Sequence, residues 1–200
     1  MPNIKERLDE IKNIIEKDAF YASSSLGGEL NFHIFDYEPQ DELKVRDYVR
    51  TLLDSYSHEN SKVKPIEFDL FELILEILKE EKIGNNLLLD KAIEIEATSG
   101  TDRLIKALSP IFKPENITKI IKSKISNQNL VLLTGVGKAY PLLRSHTILN
   151  NLHSVLDNMP VIMFYPGSYD QKELSLFKSD IFEGIRDDNY YRAFRLVGNI

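Results

Sequence analysis

Ile4, Leu8, Ile11, Ile14 and Ile15 recur at three- and four-residue steps between charged residues, which predicts a helix over about 3–17 with one apolar stripe. Ala19 to Glu29 contains Ser23-Ser24-Ser25 and Gly27-Gly28, a composition that predicts an exposed connection. Leu30 to Tyr37, with Phe32, Ile34 and Phe35, predicts a short strand that stops at Glu38-Pro39, because proline has no N–H to give a ladder. Leu43, Val45, Tyr48, Val49, Leu52 and Leu53 then mark a second helix over 40–57, with Asp41 at its positive end. Val63 to Leu70 predicts another strand, which Pro65 assigns to a sheet edge or a late start. Phe71 to Lys82 reads as a strongly apolar helix closed by Gly84-Asn85.

From Leu87 to Ser126 the pattern is helical, with breaks near Ser99-Gly100 and between Pro110 and Pro114, so two or three helices are expected. Leu130 to Gly135 is short, almost wholly apolar and without alternation, as expected of a strand buried on both faces of a parallel sheet. A helix over about Leu142 to Leu156 should follow, then a second buried strand from Val161 to Tyr165 that ends at Pro166-Gly167. Tyr190 to Val197 is a candidate last strand. Strands separated by helices imply crossover connections, so the expected fold is α/β: a mostly parallel central sheet of about four to five strands with helices on both faces. At 200 residues the chain fits one domain. Ligands of such sheets bind beyond the carboxyl ends of the strands, which directs attention to Asp36 and Glu38, to Gly135–Lys138 and to Tyr165–Gly167.

The segment LVLLTGVGKAYPLLRSHTILN has the outline of a phosphate-binding loop without its chemistry. A Walker A loop needs glycine five residues before its Gly-Lys pair and a hydroxyl residue after the lysine, and Leu132 and Ala139 stand there instead. Gly135 and Gly137 also fail the dinucleotide pattern, since Tyr140 takes the third glycine's place. The architecture is therefore nucleotide-binding-like, three-layered and without a Walker A motif.

Net charge of −6 and an isoelectric point near 5.3 oppose a general affinity for nucleic acid, which comes from cations displacing counterions. Absence of cysteine excludes disulfides and thiolate metal sites, and the charged amphipathic N-terminus does not read as a signal peptide. A cytoplasmic protein is expected. Arg144, Ser145 and His146 follow a strand and turn, so Arg144 with the helix start is placed to receive an acidic group and His146 to carry a proton. The alternative is that Ser145 or Thr147 caps the helix while His146 hydrogen-bonds internally. Ser145-His146 adjacency supplies neither the geometry nor the third group of a nucleophilic triad. Asp36 and Glu38, if both extended, share a face and form a carboxylate pair suited to Mg²⁺ or a basic partner, although capping and solvation are the commoner roles. None of the histidines has the spacing of a helical zinc pair, so no metal or cofactor is expected. Lys119, Lys122 and Lys124 read as the wet face of a helix, and Tyr190, Tyr191, Arg192, Phe194 and Arg195 as an interface tail in so acidic a chain.

LLTGVGKAYPLLRSHTILNNL, VIMFYPGSYD and DDNYYRAFRLV resemble the signature segments of the BrxB family, a small component of BREX bacteriophage-exclusion systems, and the likeness covers nearly the whole chain. The Phe35-Asp36-Tyr37-Glu38-Pro39 segment is similar to the family's first strand, which commonly has aspartate where Glu38 stands. The resemblance implies a role in defence against phage beside an adenine-specific DNA methyltransferase, a large ATPase and a PglZ-type alkaline-phosphatase-like protein, without implying catalysis. It points to Asp36, Arg144, Ser145, His146, Asn150, Tyr165, Pro166, Gly167, Tyr191 and Arg192 without assigning their roles. The expected function is a non-enzymatic assembly subunit that docks to the PglZ-type protein and supports phage restriction and host DNA methylation. The alternatives are a degenerate nucleotide or phosphoester binder, motivated by the strand-end glycines and Arg144, and a DNA-contacting subunit of the same assembly.

Overall fold

The computed structural model describes residues 3–22, 31–153, 155–156, 159–171, 173–178, 184–187 and 193–198. Its elements run α1 (Ile4–Ile15), α2 (Asp18–Ala22), β1 (Phe32–Tyr37), α3 (Glu42–Ser55), β2 (Pro65–Asp69), α4 (Leu70–Glu80), β3 (Lys82–Ile83) and β4 (Asn86–Leu87). There follow α5 (Leu88–Ser99), α6 (Thr101–Leu108), α7 (Pro114–Lys124), β5 (Leu130–Thr134), α8 (Val136–Ala139), α9 (Ser145–His153), β6 (Val161–Tyr169), β7 (Leu174–Leu176), β8 (Ile185–Asp187) and β9 (Phe194–Arg195). The fold is α/β.

The central sheet has the order β2-β5-β6-β1-β9, and every pair along that path is parallel. Each inner strand divides its side chains between two cores. Val131 and Leu133, Val161 and Met163, and Phe32 and Ile34 join the core beneath α4, α7 and α9, whereas Leu130 and Leu132, Ile162 and Phe164, and Phe35 and Tyr37 join the core beneath α1 and α3. This alternation explains why the strands read as continuous apolar runs: both faces are covered. The stripe of α1 delivers Leu8, Ile11 and Ile15 to the sheet, and α3 delivers Val45, Val49 and Leu52 while Leu43 stays 70% exposed. As Pro65 implied, β2 takes an edge.

Four expectations about elements need correction. The connection expected from Ala19 holds α2 over Asp18–Ala22, with Phe20 buried, while 23–30 lie outside the described residues. Gly84-Asn85 does not merely close α4 but turns the β3–β4 hairpin, in which Gly84 has φ +63° as the first central residue of a two-residue turn. The helix expected from Leu142 starts at Ser145, because Pro141 keeps Tyr140 extended and Leu143 N–H closes a turn on the Ala139 carbonyl. Finally, β6 does not end at Pro166-Gly167 but continues to Tyr169. At Gly167 it changes partner, leaving the parallel register with β1 for an antiparallel one with β7. Gly167 permits this because a Cβ there would lie 2.1 Å from the Ser175 carbonyl oxygen.

Candidate functional site at the carboxyl rim of the sheet

Parallel pairing aligns Asp36 of β1 with Tyr165 of β6, and Tyr37 with Pro166, so two of the expected turn regions are neighbours. The third comes from β5: a Cβ on Gly137 would lie 3.1 Å from Pro166 Cγ and 2.7 Å from Phe177 Cε1, so the post-β5 turn is seated on the end of β6. The Arg144 carbonyl accepts the Ile148 N–H, which puts Arg144 at the start of α9, shortly after that turn. Arg144 and Asn150 are exposed, His146, Glu38 and Arg195 are half-buried, and Ser145, Tyr165, Pro166 and Gly167 are buried. Tyr190, Tyr191 and Arg192 lie outside the described residues.

Asp36 is held on all sides. Its Oδ1 accepts from Arg7 Nη2 at 3.0 Å, and its Oδ2 accepts from Arg195 Nη2 at 2.8 Å and from the Tyr169 N–H at 3.0 Å. Only 4% of Asp36 is exposed, so the carboxylate is a buried clamp joining α1, β1, β6 and β9. Arg7 also lies over the Phe35 ring, 4.8 Å from its centroid. Nothing in the sequence marks Arg7, one charge among many in a helix of charges.

The glycine turn after β5 is likewise occupied by the chain's own groups. Asp69 caps α4 by accepting from the N–H groups of Phe71 and Glu72, and its other oxygen takes Lys138 Nζ at 2.6 Å. Gly135, at φ +68°, lets Asp69 in: a Cβ would stand 2.1 Å from Asp69 Oδ1. The lysine that a phosphate loop would offer its ligand is thus engaged by a carboxylate.

At the other end of the strands a cavity of about 480 Å³ opens between Asp18, Tyr21, Lys62, Gln128, Asn129, Met159 and Pro160, and among the described residues no predicted site residue lines it. Near that end His33 is half-buried against Phe20, their ring centroids 4.8 Å apart, and desolvation lowers its pKa to about 4. Asn31 donates its amide to the Phe20 carbonyl, so its oxygen faces His33 Nε2 at 2.7 Å and assigns the ring proton to Nε2. Among the described residues no group of three or more His, Cys, Asp or Glu is arranged to hold a metal ion. Among them, too, no helix is long and apolar enough to cross a membrane.

Residues 66–196 match the family model described as BrxB, BREX protein BrxB. The chain belongs to the BrxB family. A BREX protein BrxB of Bacillus cereus (strain H3081.97) is 42% identical over 201 residues, spanning 98% of this chain and 99% of that protein. Another, of Escherichia coli O9:H4 (strain HS), is 34% identical over 198 residues, spanning 98% of this chain and 92% of that protein. No solved structure gives a significant match. Membership makes this chain a BREX protein, and the family match takes in β5, α9 and β6, the elements that build most of the rim.

Proposed function

We propose that this BREX protein is a non-enzymatic assembly subunit of a phage-exclusion system that docks to a PglZ-type alkaline-phosphatase-like component through the carboxyl rim of its sheet. The observation that carries the reading is how the rim's polar groups are used. Asp36 is closed by two arginines and Lys138 by Asp69, whereas Arg144 and Asn150 remain exposed at the start and along the flank of α9. Groups committed to internal pairs stiffen a surface, and an exposed arginine on a stiff surface is a favoured anchor for a protein partner. Tyr165 and Gly167, both buried, support that surface from below.

The test is the affinity of the purified PglZ-type protein from the same system for this chain. Arg144→Glu is expected to weaken binding about tenfold or more. Undiminished binding by Arg144→Glu and by Asn150→Arg removes the rim as the docking face.

A further inference from the structure

We propose that the outer edge of β2 is a second docking site, one that takes an extended lysine- or arginine-rich segment of a partner protein as an added strand. Among the described residues β2 pairs with β5 alone. The Lys64 carbonyl accepts from Asn129 N–H at 3.0 Å, so by the alternation of a parallel ladder Lys64, Ile66 and Phe68 direct their backbone groups to β5. Pro65, Glu67 and Asp69 direct theirs outward, which leaves the Pro65 carbonyl, both backbone groups of Glu67 and the Asp69 N–H facing away from the sheet. Pro65 lacks an N–H and blunts only the entry of the strand, not its length.

Alongside this edge lies a cavity of about 220 Å³ walled by Glu67, Asp69, Glu72, Glu76, Leu73 and Lys124. Lys124 pairs with Glu76, Asp69 is taken by Lys138 from beyond the wall and Glu67 accepts from the Thr134 hydroxyl, so the groove's own balance is Glu72 and Glu76 against Lys124, which is negative. Glu72 is exposed at its mouth. A strand added to β2 projects alternate side chains into that groove, where cationic heads reach Glu72 and Glu76. The same charges argue against a second copy of this chain as occupant, because pairing two β2 edges brings Glu67 and Asp69 against their own kind. This surface belongs to the sheet's flank and does not depend on the rim reading.

The experiment is amide hydrogen exchange on the intact protein, followed by NMR, with a synthetic alternating Lys-Val peptide of about ten residues as probe. In the free protein Glu67 and Asp69 should exchange faster than Ile66 and Phe68. Saturating peptide should slow Glu67 and Asp69 about tenfold. The effect should vanish for an alternating Glu-Val peptide, for a Lys-Val peptide N-methylated on alternate residues, and largely for the exposed-site variant Glu72→Lys. Absence of slowing with the Lys-Val peptide, or equal slowing with the Glu-Val peptide, overturns the proposal. Slowing without peptide that grows with protein concentration assigns the edge to a second copy and overturns it too.

Discussion

Neutralising Asp36 while keeping its shape leaves two half-buried guanidinium groups without their counter-charge. Deleting one member of a buried ion pair costs about 3–5 kcal/mol, so Asp36→Asn should lower the unfolding free energy in urea by roughly that amount, and a loss below about 1 kcal/mol would rule out the clamp. Each arginine gives Asp36 one Nη2, and the Nε atoms of Arg7 and Arg195 stay buried without an acceptor among the described residues, so the clamp lacks the forked geometry of the strongest such pairs. His33 sets a pH dependence of opposite origin. Its folded pKa, about 4, lies below the ordinary 6.5, so the unfolded chain binds the extra proton first. Its contribution is complete above pH 6.5 and is lost as pH falls from there towards 4; between pH 7 and 5 the loss is about 2 kcal/mol. His33→Gln should flatten that part of the stability profile, and an unchanged slope would contradict the burial argument. Asp36 could be picked from the sequence because a carboxylate at the end of an apolar strand is conspicuous. Arg7 could not, since Lys5-Glu6-Arg7 gives no sign of which charge turns inward, and the contact spans from α1 to β1.

At the level of elements, β6 is the organiser: it pairs with β5, β1 and β7 within nine residues. Gly167→Ala should cost about 2 kcal/mol or more, because the added methyl meets the Ser175 carbonyl and the backbone there has φ +150°. The loss should appear as faster exchange of β7 amides while β1 and β5 stay protected; uniform loosening of the whole sheet would contradict it. Asp69→Ala removes a cap from α4 and the partner of Lys138, with an expected loss of about 1–2 kcal/mol read from the thermal midpoint. Apolar runs and helical stripes carried β1, β5, α1, α3 and α4 in the sequence, because burial on a parallel sheet writes itself directly into composition. The β3–β4 hairpin escaped because two-residue strands have no period to detect, and a Pro-Gly pair cannot distinguish a strand that stops from one that changes partner.

For the molecule as a whole, the two proposed docking surfaces differ in character, one a rim beside the exposed Arg144 and the other an acidic flank along β2. The rim is not assembled by local sequence, since it joins segments from β1, β5 and β6, whereas the β2 flank comes from residues 66–76 with Lys124 added from α7. Parallel topology also sets the order of folding. Phe32 meets Val161 and His33 meets Phe194, partners most of the chain away, so closing these ladders carries a large loop-entropy cost that the local contacts of α3 and α4 avoid. Pulse-labelled refolding should therefore protect α3 and α4 before β1, and simultaneous protection would refute that sequence of events. Because β1 lies between β6 and β9, Phe32, Ile34 and Phe35 have no strand beside them until those late strands have been made. During translation the emerging polypeptide carries a greasy, unpaired ribbon for much of its synthesis, the kind of segment that ribosome-associated chaperones exist to shield.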